Sequence, residues 1–138
     1  MRKAQRWRYY CDHCKKSGGS GGHMARHERR CTANPNRSCG VCDKGGMSPE
    51  PLSKLVEFAK LKAIRHPSMS DDLPDSFVID KAGLEELRKL ADGCPVCMFA
   101  ALRQSNVFVE DNAFDLKAEL RSVWADINVA GDRCNYAY

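Results

Sequence analysis

The chain has 138 residues, of which 43% are hydrophobic and eight are cysteines. This length allows one ordinary domain, or a small metal-stabilised module joined to a small helical domain. The chain contains no long apolar stretch of the kind that crosses a membrane, and its first residues lack the apolar run of a signal peptide. We therefore expect a cytoplasmic protein without membrane contact, rather than a membrane protein or a secreted disulfide scaffold.

Charge is distributed unevenly along the chain, although the net charge is only +4. Residues 1–65 contain fifteen Lys and Arg against five Asp and Glu, and residues 66–138 contain seven against thirteen. The two parts therefore carry +10 and −6. Because phosphates attract only the basic part, the first 65 residues are expected to make any contact with a polyanion.

A first group of metal-binding residue types lies near the amino end. Twelve residues separate Cys14 from His27 and three separate His27 from Cys31, which gives the pattern C-x2-C-x12-H-x3-C when Cys11 is included. A C-x-x-C turn directs two thiolates to one point, and ligands four residues apart lie on one side of a helix. The pattern predicts a structural zinc ion bound by these four residues. A ligand pair of His23 and His27, or cysteines that are buried or disulfide-bonded, are the alternatives.

Residues 9–31 resemble the classical C2H2 zinc-finger family, in the variant whose last ligand is a cysteine. The resemblance rests on Tyr9 two residues before the first cysteine, on both ligand spacings, and on Met24 ahead of the histidine. It implies a ββα-like module with almost no core of its own. In family members that bind DNA, bases are contacted from helix positions that correspond here to Ser20, His23 and Arg26.

A helical pattern begins at Ser48, where apolar residues start to recur three and four positions apart. Ser48 is expected as the N-cap of this helix, with Pro49 in its first turn and Pro67 just after its end. A polar loop over residues 68–76 and a short extended segment over residues 77–79 are expected to follow.

Three more helices are predicted in the rest of the chain. Asp80 is expected to cap the first of them, which Gly93 ends, and Cys94 opens the next, which continues through Leu102. The last helix, expected to end at Gly131, has the clearest pattern, because its apolar residues recur at helical spacing: Leu116, Leu120, Val123, Trp124 and Ile127.

Two further C-x-x-C pairs predict a second zinc site. Cys39 and Cys42 enclose Gly-Val and precede two glycines, as in a zinc knuckle, while Cys94 and Cys97 open a helix, whose N-terminus favours thiolate charge. A knuckle joined to a helix-opening pair is similar to the treble-clef arrangement, which implies that the four cysteines share one ion. Redox-active dithiols and simple buried cysteines are the alternatives. Cys134 has no assigned role.

These patterns predict a mainly α fold, with a ββα-like zinc finger over residues 1–38 and a zinc-stapled four-helix domain over residues 39–138. Both zinc shells would be closed by four protein ligands, and motifs for a nucleophile or a phosphate loop are missing from the sequence, so an enzyme is not expected.

The basic residues of the N-terminal part are interleaved with aromatic residues, a combination that suits phosphate neutralisation and base stacking. We expect a protein that binds DNA or another nucleic acid, or a regulatory protein. The expected contact residues are Arg6, Trp7, Arg8, Lys15, Lys16, Ser20, His23, Arg26 and Arg30. The alternative is a zinc-stapled protein-interaction or assembly factor, and the size and composition resemble those of small zinc proteins encoded by bacteriophages or bacteria. A simpler interpretation is that these charges only keep a small module solvated.

Overall fold

The computed structural model describes residues 1–129, over which six helices and two small sheets form a mainly α fold, as predicted. Among these residues, no helix has the length and apolar character that crossing a bilayer requires. Gly131 and Cys134 lie outside the described residues. The elements in chain order are β1 (Tyr9–Tyr10), β2 (Ser17–Gly18), α1 (Gly21–Arg30), α2 (Gly40–Gly45), α3 (Leu52–Lys62), β3 (Ile64–His66), β4 (Ser76–Ile79), α4 (Lys81–Leu90), α5 (Pro95–Ser105), β5 (Val107–Val109), a 3-10 turn (Glu110–Asn112) and α6 (Leu116–Val129).

Residues 9–31 form the predicted ββα arrangement, which we call the finger module. β1 and β2 pair antiparallel, with Tyr9 opposite Gly18. Ser20 is the N-cap of α1, and its Oγ accepts a hydrogen bond from the His23 amide. Met24 of α1 is buried in a cluster with Cys11 and Cys31, and α1 contacts both strands. The glycine- and serine-rich residues 17–22 therefore form β2 and the start of α1 in this module.

The rest of the described chain packs around α3 and α5, which lie against each other. The most deeply buried side chains there belong to α2, α3, β4, α4 and α5, and they include Val41, Leu55, Ile79, Leu84, Leu87 and Met98. A three-stranded sheet in the order β3-β4-β5 covers one side, with β3 antiparallel and β5 parallel to the central β4. This core supplies the apolar interior that the finger module lacks.

The start of α3 differs from the prediction. The helix begins at Leu52 with Pro51 as its N-cap, so the expected N-cap at Ser48 was wrong. Glu50 precedes Pro51, and helical backbone angles are disfavoured for a residue that precedes a proline. This explains why α3 starts later than predicted. The Ser48 amide donates instead to Asp92 Oδ2 at 2.8 Å.

The end of α3 was also placed too late. The helix ends at Lys62 and not just before Pro67, because Ile64–His66 form the edge strand β3. Ile64 pairs there with Val78 of β4. Strand β5 and helix α2 were not predicted.

The predicted helix signals further along the chain are confirmed. Asp80 caps α4, and its Oδ1 accepts from the Gly83 amide at 2.7 Å. Gly93 follows α4 with a left-handed φ of +75°. Helix α5 begins after Cys94 as predicted, but it continues past Leu102 to Ser105 and ends at left-handed Asn106. These signals depend on local backbone chemistry, which is why a sequence pattern identifies them.

Gly83 is expected to resist substitution, because a Cβ at this position would lie 2.9 Å from Cγ1 of the fully buried Ile79. Although alanine has the higher helix propensity, we expect Gly83→Ala to lower the free energy of unfolding by about 1–3 kcal/mol through overpacking. Urea denaturation followed by circular dichroism measures the change.

Gly22→Ala in α1 is the matched control, since a Cβ there meets only Ser20 Oγ at 4.0 Å. It is expected to leave the stability unchanged or to raise it. An increase in stability for Gly83→Ala would show that Ile79 has room to move and would contradict the packing argument.

Candidate metal centres and the basic surface

The first candidate metal centre lies in the finger module. The ligand atoms of Cys11, Cys14, His27 and Cys31 all lie within 4.8 Å of one another, and Cys14 Sγ lies 3.2 Å from His27 Nε2. A tetrahedral zinc ion with Zn–S bonds of about 2.3 Å separates its ligand atoms by about 3.8 Å. The cluster therefore fits a zinc ion. His23, the alternative ligand, is exposed and lies outside the cluster.

Local secondary structure explains this first cluster. The hairpin turn between β1 and β2 holds Cys11 and Cys14, and the Cys11 amide donates to the Lys16 carbonyl at 3.0 Å. His27 lies in the last turns of α1, and Cys31 is the C-cap of that helix. The amides of His13 and Lys16 donate to the sulfur atoms of Cys11 and Cys14, each at 3.4 Å, as in a metal-binding knuckle.

The environment of this centre favours the metal-binding protonation states of Cys14 and His27, whereas burial raises the pKa of the Cys31 thiol above its ordinary value. Burial raises the pKa of the Cys14 thiol, but hydrogen bonds from the Lys16 amide and from the thiols of Cys11 and Cys31 lower it below its ordinary value overall. Burial, followed by the nearby charge of Lys16, lowers the pKa of His27. A thiolate and a neutral imidazole are the forms that coordinate zinc.

The second candidate centre joins parts of the chain that are 55 residues apart. Cys39 Sγ lies 3.6 Å from Cys94 Sγ, and Cys42 Sγ lies 3.6 Å from Cys97 Sγ. All four sulfur atoms lie within 4.8 Å of one another. Cys39 is the N-cap of α2 and Cys94 is the N-cap of α5, so each C-x-x-C pair opens a helix. The predicted knuckle turn thus continues as a short helix.

Four sulfur atoms this close do not all ionise without a cation. A hydrogen bond with Cys42, with further ones from Cys94 and Cys97, lowers the pKa of the Cys39 thiol. The interaction with Cys39 in turn raises the pKa of both Cys42 and Cys97. The donor set therefore suits a divalent ion, whose charge stabilises several thiolates together.

A cavity of about 270 Å³ borders three of the four cysteines of the second centre, Cys39, Cys42 and Cys97. This cavity offers a route by which an ion can enter. None of the seven described cysteines forms a disulfide, which is consistent with the zinc hypothesis. The alternatives of redox-active dithiols and simple buried cysteines remain hypotheses.

Helix α5 connects the second centre to the segment that directly follows the finger module. Its first residues hold Cys94 and Cys97, and near its other end Gln104 Nε2 donates to the carbonyls of Thr32 at 2.9 Å and Asn34 at 3.0 Å. Arg103 Nη1 also donates to Thr32 Oγ1 at 2.7 Å. Sequence analysis missed these contacts, although the Asn-Pro-Asn segment that receives them carries a turn signal. The predicted domain division after residue 38 remains a prediction.

The residues predicted to contact nucleic acid are all exposed, namely Arg6, Trp7, Arg8, Lys15, Lys16, Ser20, His23, Arg26 and Arg30. Their roles in the fold differ. Ser20 Oγ is engaged in helix capping, and Arg8 Nε donates to Ser17 Oγ at 3.0 Å. The guanidinium of Arg30 lies beside Gly40 at the start of α2. The other side chains of this set reach solvent without a hydrogen bond to another described residue.

Within residues 1–129, the ion pairs of the chain all lie outside the basic segment of residues 1–38. They join Lys54 to Glu50, Lys62 to Glu86, Arg65 to Asp75, and Arg88 to Glu85 and Glu119. The segment contains ten Lys and Arg against two acidic residues, a balance of +8. Its positive charge is thus uncompensated by ion pairs in the described part of the chain.

Comparisons with protein-family models, with curated proteins and with solved structures found no match for this chain. The geometry of the two clusters is therefore the basis on which a zinc-binding protein is identified.

Zinc content should follow the two clusters. We expect two zinc ions per chain, and we expect Cys39→Ser to leave one, because the second centre loses a ligand while the finger module keeps its own. Elemental analysis of the purified full-length protein measures the ratio. Cys134→Ser, which changes the cysteine that the sequence analysis assigns to neither zinc site, is the control and should leave two ions. If the wild-type protein contained one zinc ion per chain and Cys39→Ser left that number unchanged, the second cluster would not be a zinc site.

Proposed function

We propose that this zinc-binding protein binds nucleic acid through its N-terminal part. The contact region, here called the basic surface, consists of Arg6, Trp7, Arg8, Lys15, Lys16, His23, Arg26 and Arg30. The resemblance of residues 9–31 to C2H2 zinc fingers, many of which bind DNA, supports this choice. The zinc ion would be structural and would hold α1 and the hairpin in place.

The observation that carries the proposal is the uncompensated charge of residues 1–38. Charged side chains of the remaining described chain form five ion pairs, whereas the Lys and Arg of this segment form none with any residue up to 129. Such a segment gathers counterions, and their release on binding a polyanion favours association. A surface that only needs to be soluble is usually built from interspersed charges of both signs.

Exposed aromatic residues support nucleic acid over other polyanions. Trp7 is 86% exposed and Tyr10 is 65% exposed, and both lie among basic residues. Water contact with so much aromatic surface is unfavourable, while stacking on a base covers it. A bare polyphosphate or an acidic protein segment would leave these rings uncovered.

The number of base contacts is expected to be small. One finger covers about three base pairs, so phosphate neutralisation supplies most of the affinity. Catalysis is not part of the proposal, because each candidate centre has the four protein ligands of a closed structural zinc shell. The predicted cytoplasmic location, where thiols stay reduced, is compatible with it.

A protein-interaction role is the second candidate, and the outer face of the sheet favours it. Ile64, Val78 and Phe108 are directly paired across β3, β4 and β5, so their side chains lie on one face. Ile64 is 52% and Phe108 60% exposed. A row of exposed apolar side chains is typical of a protein contact.

Binding should weaken with salt and with the loss of single basic residues. We expect Arg26→Ala to raise the Kd for a DNA oligonucleotide about threefold to tenfold, and to reduce the slope of log K against log salt by about 0.7–0.9, because one phosphate contact is lost. Fluorescence anisotropy of the zinc-loaded protein, with duplex and single-stranded DNA at several salt concentrations, measures both quantities.

Lys60→Ala is the matched control, since Lys60 is an exposed basic residue of α3 outside the basic surface. It should leave the Kd within a factor of two. Absence of salt-dependent binding to both forms of DNA at low micromolar protein would reject the nucleic-acid hypothesis.

A further inference from the structure

A cleft of about 510 Å³ lies between the finger module and the segment that follows it. This volume is within the range of small-ligand sites, and the lining combines apolar surface with several hydrogen-bonding side chains. The side chains that matter for its chemistry are His13, Glu28, Arg29, Asn34, Asn36 and Ser38. The cleft thus suits a ligand that has both a flat apolar surface and hydrogen-bonding groups.

Hydrogen bonds hold the walls of this cleft. Asn34, which is only 9% exposed, donates through Nδ2 to the Glu28 carbonyl at 2.7 Å and accepts at Oδ1 from the Asn36 amide at 2.8 Å. The Ser38 amide donates to the Arg29 carbonyl at 2.8 Å. Gln104 of α5 donates to the Asn34 carbonyl from behind. The cleft is therefore formed before any ligand arrives, which lowers the entropic cost of binding.

Three planar side chains in the cleft have no internal partner. The imidazole of His13, the guanidinium of Arg29 and the amide of Asn36 form no hydrogen bond or ion pair within residues 1–129. They offer both flat surfaces and hydrogen-bonding groups. Unpaired nucleobases are recognised by stacking on histidine or arginine planes and by hydrogen bonds to their edges.

The acidic residue in the cleft distinguishes a base from a phosphate. Glu28 accepts from the Asp12 amide through Oε1 at 3.0 Å and is half-buried. Its negative charge repels a phosphate, whereas its remaining oxygen can accept from an exocyclic amino group of adenine, cytosine or guanine. Thymine and uracil have no such group.

The cleft is continuous with the basic surface. Arg29 follows Arg26 by three residues on α1, so the two side chains lie on neighbouring positions of the same helix side. A strand whose phosphates contact the basic surface would bring its bases to the mouth of the cleft.

We propose that this cleft binds one unpaired base with an exocyclic amino group (adenine, cytosine or guanine) of a single-stranded or looped nucleic acid. The proposal rests on the proposed nucleic-acid function and narrows it. A base in a duplex is paired and stacked and does not enter the cleft, so the protein prefers a single strand to a duplex of equal phosphate number.

Two variants and one conservative replacement test the cleft. Asn36→Ala and His13→Ala are expected to weaken binding of an oligo-dA strand about tenfold and to leave binding of a duplex within a factor of two. His13→Phe keeps a flat ring and should retain most of the affinity for oligo-dA. The wild-type protein should bind oligo-dA more tightly than oligo-dT.

The measurements use the full-length zinc-loaded protein, and unchanged zinc content shows that each variant is folded. His66→Ala, an exposed histidine on β3, is the control and should not change any Kd. Unchanged binding of oligo-dA by the cleft variants, or equal losses for single strand and duplex, would overturn the cleft while leaving the nucleic-acid function in place. Absence of salt-dependent binding to every oligonucleotide would instead reject the function itself.

Discussion

The structure depends on the convergence of four ligand atoms at each of two points. In the finger module, the described buried residues are Cys11, Met24 and Cys31, which is too little apolar surface to offset the conformational entropy of an ordered ββα unit. A structural zinc ion contributes on the order of 10 kcal/mol to folding in units of this size. Metal binding and folding of the module are therefore a single equilibrium, and every contact of α1 depends on it.

The second cluster serves a different purpose, because the residues around it already have a core. Its four cysteines lie at the starts of α2 and α5, and α5 reaches the exit of the finger module through Gln104. One helix thus links a metal cluster at its beginning to the finger at its end. This arrangement explains how a basic module and a helical part with an acidic excess keep a defined contact.

The local elements that could be predicted depend on short-range chemistry. The Asp80 cap and the start of α5 follow from capping and proline placement, which act within a few residues, whereas the ββα order was implied by the resemblance of residues 9–31 to zinc fingers. The predicted start of α3 was wrong for a similarly local reason, because Pro51 disfavours helical backbone angles at Glu50. Strands β3 and β5 could not be inferred, because three-residue segments become strands only when β4 lies between them. The Val-Phe-Val composition of β5 was the one signal available.

By itself, the sequence determined the ligand set of the first centre, since thiolate and imidazole spacing decides which side chains meet around one ion within a turn or a helix. It also determined the uneven charge, which is a property of composition. Only the tertiary structure decided that Cys39 and Cys42 meet Cys94 and Cys97, that Gln104 holds the segment after the finger, and that His13 and Asn36 share a cleft. Such contacts join residues that are distant in the chain, and their formation depends on how whole helices pack, which residue spacing does not encode.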